Sequence, residues 1–270
     1  MPKIEANGVS LYYELHGPED GDVIVLSNGI MMSTASWGFQ LKALAAHMRV
    51  LLYDCRGMWQ SDHPEGDYSM ALHADDLEAL LKALNIPKAH IAGISYGSEV
   101  SLTFALNYPE MTQSLIVMDG VSHVTPLLRS QARPWLLAAE RKDPEMLFAS
   151  SVFLNFSEEW IEKNQVLLDQ MSKNYAFINF DSFVRLMKAF EAFDVSDRLQ
   201  EIKCPTLLIV GEEDPIKGRP HAEKMLKSIP HAEYLVIPGG GHAVCIDKPE
   251  PLNTALIGFV LKHSQKSKVN

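Results

Sequence analysis

Gly93-Ile94-Ser95-Tyr96-Gly97 follows an apolar run at residues 90–94 and leads into a helical pattern, so a G-x-S-x-G sequence stands between a strand and a helix. A strand that turns sharply into a helix places one side chain at the tip of the turn. Flanking glycines let the neighbouring backbone approach it closely. Ser95 occupies that tip. The pattern alone is common by chance, and its placement between two periodicities is what gives it weight.

The same alternation extends outward. Residues 4–13 form two short segments joined at Asn7-Gly8, a dipeptide suited to a tight turn, so an antiparallel hairpin is expected there. Apolar β-rich runs at 23–27, 50–54, 90–94 and 114–119 alternate with helical patterns at 39–46, 70–84 and 99–107. This predicts βαβ units and a mostly parallel sheet flanked by helices on both faces. From residue 122 to 196 the strand rhythm stops, and helical stretches are expected at 134–141, 144–153, 158–172 and 181–193. Strands at 206–211 and 233–238 and helices near 221–227 and 251–263 then complete the pattern. The expected organisation is an α/β core of residues 1–121 and 197–270, interrupted by a helical cap of residues 122–196, with a frayed polar tail from residue 264.

The chain has 270 residues, 47% hydrophobic and 21% charged, enough to bury a large core. Its formal net charge of −10 works against binding phosphates or an anionic membrane surface, so no nucleic-acid or membrane partner is expected. No targeting pattern or apolar run of the roughly 18 residues a span requires is evident, and a cytoplasmic location is expected. Cys55, Cys204 and Cys245 lie far apart without CxxC spacing and read as free thiols. No HExxH or paired His–carboxylate spacing occurs, and Asn28-Gly29-Ile30-Met31 lacks the glycine spacing and lysine of a phosphate loop. Neither a metal nor a cofactor is expected.

A serine hydroxyl needs a base within hydrogen-bond reach and a third group that orients the base. Asp214 lies just past the apolar run at 206–211, and His242 lies in Gly239-Gly240-Gly241-His242 past the next strand. Ser95 is thus the candidate nucleophile, His242 the general base and Asp214 the orienting acid, in the chain order Ser, Asp, His. Asp119, at the end of the run at 114–119, is an alternative acid, and Glu212 and Glu213 are nearer ones in sequence. Donors for a developing oxyanion are expected from the backbone N–H of Tyr96 and from the loop at Ser27-Asn28-Gly29-Ile30. There Ile30 is the candidate, with Met31 as the alternative register.

On these residues the chain resembles the α/β-hydrolase fold family, in the esterase and lactonase branch that includes oxoadipate enol-lactonases. The resemblance runs through Ser27-Asn28-Gly29, Asp54-Cys55-Arg56-Gly57, Ser95, Asp214, His242 and Lys248-Pro249-Glu250-Pro251. It implies hydrolysis of a small ester or lactone through an acyl-enzyme, with a small molecule as the partner. Three departures bear on the substrate: Asn28 where many members have His, Trp59 where a glycine is usual, and Ser98 in place of a second glycine. Asp54 and Arg56 are expected to fix their turn by pairing and hydrogen bonding.

Thioester, carbon–carbon bond and peroxide-dependent chemistry suit the same site, as does a ligand receptor without turnover. An anionic substrate would need a cation in an apolar site, and Arg129, Arg133, Arg56 and Arg185 are the candidates. Solvation explains each arginine as simply, so an uncharged ester or lactone is expected. Met31, Met32 and Met58 are expected to face the site's entrance.

Overall fold

In the computed structural model, which describes residues 2–264, Asn7 and Gly8 take φ angles of 49° and 73°. Their turn pairs β1 (Lys3–Ala6) with β2 (Val9–His16) antiparallel, as the dipeptide predicts. Six further strands follow: β3 (Val23–Ser27), β4 (Arg49–Tyr53), β5 (Ala89–Ile94), β6 (Thr112–Met118), β7 (Thr206–Gly211) and β8 (Ala232–Ile237). They join one eight-stranded sheet in the order β1-β2-β4-β3-β5-β6-β7-β8, antiparallel only where β2 meets β1 and β4.

The period of two explains the layers. Along β3, Val23 and Val25 join one apolar cluster while Ile24 and Leu26 join another, so the strand is buried on both sides. Helices α2 (Met70–Ala83) and α3 (Tyr96–Asn107) cover the first face with Leu77, Leu80, Val100 and Phe104. Helices α1 (Gly38–Ala45) and the C-terminal one (Pro249–Lys262) cover the other with Leu44, Leu252, Leu256 and Phe259. The strand order reverses on either side of β3, which opens a crevice at the carboxyl ends of β3 and β5.

Between β6 and β7 the chain is helical: α4 (Pro126–Glu140), α5 (Pro144–Asn155), α6 (Glu158–Lys163), α7 (Gln165–Asn174) and α8 (Phe180–Glu191). Two details differ from the sequence reading. Helix α4 starts eight residues before Pro134, capped by the Thr125 side chain, and carries Pro134 inside. Burial of Leu128, Ala132, Trp135, Leu136 and Ala139 along one face offsets the hydrogen bond that proline removes. The single stretch expected at 158–172 is split because Asn164 leaves helical geometry (φ −123°, ψ 32°), and its Nδ2 donates to the Trp160 carbonyl. Helices α9 (Arg219–Ser228), α10 (Val244–Asp247) and α11, the C-terminal helix already placed, complete the chain. The fraying expected beyond residue 264 lies outside the described residues. No described helix is long and apolar enough to cross a membrane.

Candidate active site

Ser95 caps α3 with φ 53° and ψ −116°, a backbone region that side chains other than glycine rarely occupy. Its amide donates to the Met118 carbonyl at 2.9 Å, which helps hold the turn. A β-carbon on Gly93 would lie 2.1 Å from the Gly97 carbonyl oxygen, so the turn closes only if position 93 has no side chain. Ser98 Oγ, on the next turn, lies 2.6 Å from the Gly93 carbonyl and 2.7 Å from that of Met118. The serine found in place of a family glycine thus ties the end of β5 to the end of β6.

The three residues read from the sequence meet at this point. His242 Nε2 is 2.8 Å from Ser95 Oγ, and His242 Nδ1 is 2.8 Å from Asp214 Oδ2. The second oxygen of Asp214 accepts the backbone N–H groups of Ile216 at 2.7 Å and Lys217 at 3.0 Å. Burial works to raise the Asp214 carboxyl, but the His242 charge and hydrogen bond and those two amides hold it below the ordinary value. It is therefore an anion oriented along the His242 ring. Asp119 stays apart from the histidine. Its Oδ1 accepts the Gly211 amide at 2.8 Å, and burial and the Asp214 charge push its carboxyl well above the usual range. The loop carrying His242 is tied to the helical segment: Asp247 accepts the Gly241 amide at 2.8 Å and the amide and hydroxyl of Ser157 at 2.9 Å each.

The oxyanion candidates lie on either side of the serine. Tyr96 is the first residue of α3, so its N–H has no acceptor within the helix. Ile30 lines two cavities that reach Ser95 and His242, whereas Met31 lines one of them. The loop is fixed from beneath. Asn28 accepts from the Trp37 indole at 2.8 Å and donates to Asp54 at 3.0 Å, and Asp54 also accepts the Thr34 amide at 2.9 Å. The asparagine found where many family members have histidine thus braces the loop through Trp37 and Asp54. Arg56 does not pair with Asp54; it forms a two-bond pair with Asp76 on α2, at 2.6 and 2.7 Å. Trp59, in place of a family glycine, keeps a positive φ of 40°.

One cavity of about 400 Å³ extends from Ser95 between Tyr96, Leu128, Met187, Phe190 and Ile216. The second, about 640 Å³, is lined by Met31, Met32, Trp135, Phe156, Met171 and Tyr175 among others. Met31 and Met32 therefore face the site as expected, but Met58 is buried and borders a separate cavity that does not reach Ser95. Neither cavity that reaches Ser95 is lined by an arginine. The cation on the wall is Lys217, which the sequence reading missed together with its partner Glu99. Their atoms Nζ and Oε2 are 2.7 Å apart, and both side chains are almost wholly buried. Burial pushes the Glu99 carboxyl up, against the pull of the Lys217 ammonium. The available signal was a lone acid four residues past Ser95, the one charged residue from Tyr96 to Tyr108. Among the described residues no group of three His, Cys, Asp or Glu is placed to hold a metal ion.

A strand–turn–helix serine, a histidine from the loop after β8 and an acid from the loop after β7 define a class. The alpha/beta hydrolase fold family model matches residues 22–249, and the chain belongs to that family; it is a hydrolase. RutD of Azorhizobium caulinodans, a proposed carbamate hydrolase, is 30% identical over 263 residues, covering 96% of this chain and 98% of that protein. RutD of Caulobacter vibrioides is 30% identical over 256 residues, covering 93% and 95%. The enol-lactonase of Burkholderia xenovorans LB400 superposes with a TM-score of 0.91 at 22% identity, covering 96% of this chain and 100% of that one, a likeness of fold. MGS-M2, an alpha/beta hydrolase enzyme from a Medee basin deep-sea metagenome library, superposes at 0.87 with 29% identity and 96% coverage of each chain.

Proposed function

We propose that the chain is a serine hydrolase that cleaves a small uncharged carboxylic ester or lactone through an acyl-enzyme. The observation that carries this reading is the continuous chain of two 2.8 Å contacts from Ser95 through His242 to Asp214, at the mouth of two largely apolar cavities. Ser95 Oγ attacks the carbonyl carbon while His242 Nε2 takes its proton. The amides of Tyr96 and Ile30 stabilise the oxyanion. As the tetrahedral intermediate collapses, His242 gives that proton to the leaving alcohol, and Asp214 keeps the imidazole in the required tautomer throughout. Water then attacks the acyl-enzyme along the same route and frees the acid.

In this reading residues 122–196 act as a cap over a core of residues 1–121 and 197–270. Trp135, Phe156, Tyr175 and Phe190 from that segment line the cavities with apolar surface. The free thiols of Cys55, Cys204 and Cys245 suit a reducing compartment such as the cytoplasm. A carbamate is a second reading, favoured by the 30% identity to RutD along nearly the whole chain, since its carbonyl is open to the same attack.

The test combines a fluorophosphonate probe with a panel of short esters, lactones and carbamates. Wild-type protein is expected to be labelled at Ser95 and to turn over uncharged esters or lactones. Ser95→Ala is expected to lose labelling and to lose hydrolysis by orders of magnitude. A folded Ser95→Ala protein retaining more than roughly a tenth of the wild-type rate would show that another group attacks. Turnover confined to carbamates would select the second reading.

A further inference from the structure

Lys217 lines the 400 Å³ cavity and forms a buried ion pair with Glu99. A buried pair contributes little net stability over apolar residues of the same size, because desolvating both charges offsets most of their attraction. Leu128, Ala132, Met187, Phe190 and Ile216 line the same cavity, with Gln131 as a polar neighbour, so most of this wall is apolar. The side chains of Lys217 and Glu99 are 4% and 0% exposed, yet Lys217 lines the same cavity as Ser95, Tyr96 and His242.

The donors of the ammonium can be followed one by one. One N–H goes to Glu99 Oε2 at 2.7 Å. The ammonium also sits 4.6 Å from the centroid of the Phe190 ring, whose face attracts a cation. An ammonium has three N–H groups, so donor capacity remains beyond the Glu99 contact. Glu99 is held in place by the Val121 amide, which donates to its other oxygen at 3.0 Å. The lysine is held as well, since its backbone N–H is one of the two that orient Asp214.

The charges select the ligand. Glu99 already neutralises Lys217, so a substrate carboxylate would bring a second anion to a single cation inside an apolar wall, close to Asp214. A neutral carbonyl or ether oxygen accepts the spare N–H without that penalty. We infer that Lys217, held and neutralised by Glu99, is a specificity-determining residue that binds an uncharged hydrogen-bond-accepting oxygen of the substrate, remote from the scissile carbonyl. The substrate class is therefore a neutral ester or lactone with a second oxygen function, such as a ketone, amide or ether, and this inference depends on the serine-hydrolase reading above.

The test compares 4-nitrophenyl pentanoate, 4-oxopentanoate and hemisuccinate, which place a methylene, a ketone and a carboxylate at matched reach. The comparison is repeated with acetate esters of 1-pentanol, 5-hydroxy-2-pentanone and 4-hydroxybutanoate, which put the same groups on the alcohol side. In one of the two series the wild-type kcat/KM for the ketone is expected to exceed that for the alkyl ester by at least about fivefold, and that for the carboxylate by at least about tenfold. Glu99→Gln keeps an acceptor for the Val121 amide but frees the lysine's charge, and should raise the carboxylate ester relative to the ketone by about tenfold or more. In Glu99→Gln/Lys217→Met the ketone-to-alkyl ratio should fall to within about twofold of one. These ratios are unaffected by a loss of activity common to all substrates. A wild-type ketone-to-alkyl ratio near one in both series, or a ratio preserved in the double variant, overturns the role of Lys217 while leaving Ser95-dependent hydrolysis standing. Wild-type protein that hydrolyses none of the six esters overturns this inference; if Ser95 also resists the fluorophosphonate probe, the serine-hydrolase reading falls with it.

Discussion

Gly97 stands so close to Ser27 that a β-carbon on it would lie 2.1 Å from the Ser27 carbonyl oxygen. Helix α3 therefore starts hard against the end of β3, which brings the Tyr96 amide beside the loop that carries Ile30. The atoms that the β-carbon would meet, Ser27 O and C and Asn28 O, all belong to backbone, so an added methyl cannot be relieved by a rotamer change. Gly97→Ala is expected to destabilise the protein by about 1–3 kcal/mol and to lower kcat/KM at least about tenfold, as the helix start moves away from the loop. Gly258 is the control. It lies exposed inside α11, where an added β-carbon would meet nothing within 4 Å, and Gly258→Ala should add up to about 1 kcal/mol. Urea midpoints with ester hydrolysis at 25 °C check both; a Gly97→Ala enzyme of normal activity would remove the packing argument.

Asp214 and Asp119 are both buried acids at neighbouring strand ends, but only Asp214 contacts the histidine. Asp214→Asn should lower kcat by about 10⁴, because an amide favours the wrong tautomer of His242. Asp119→Asn should cost less than about tenfold, since an amide oxygen can still accept the Gly211 N–H. Steady-state kinetics of the two variants decide the matter, and the reverse order of effects would assign the orienting role to Asp119.

His90 is fully buried in β5 with its Nδ1 2.7 Å from Ser114 Oγ, and burial lowers its pKa from 6.5 to about 4. The unfolded chain therefore binds a proton more readily than the folded one between those values. The stability this neutral histidine contributes is complete above about 6.5 and is lost as the pH falls toward about 4. His73, lowered to about 3 by burial, acts in the same direction, and Asp54, raised to about 6 by burial, acts in the opposite one. Both are common to wild type and a His90 variant. Between pH 7 and pH 5 the wild type should lose about 2 kcal/mol more than His90→Asn in urea unfolding. Equal losses would show that His90 takes up no extra proton on unfolding.

Much of the fold was legible because its signals are local. The β3 run at residues 23–27 and the β7 run at 206–211 are mostly apolar, and they form strands with those bounds. The Asn7-Gly8 turn likewise acts through neighbours in the chain. The boundaries that differed had competing local signals. Pro134 reads as a helix start, but the cap at Thr125 and the apolar face of α4 prevail over it.

The sequence by itself determined the alternation of strands and helices, the serine at a sharp turn, and the order in which Asp214 and His242 follow it. Each of these depends on the period of the chain or on residues a few positions apart. Tertiary structure alone decided which acid contacts His242: Asp214 reaches its Nδ1, while Asp119, at the adjacent strand end, accepts the Gly211 amide. It also decided that Arg56 turns to Asp76 on α2 while Lys217 faces the cavity. Glu99 and Lys217 are 118 residues apart in sequence, and neither has a local pattern that announces the other. They meet because α3 and the loop after β7 converge at the carboxyl edge of the sheet, where the charge of each is tolerable only in the presence of its partner.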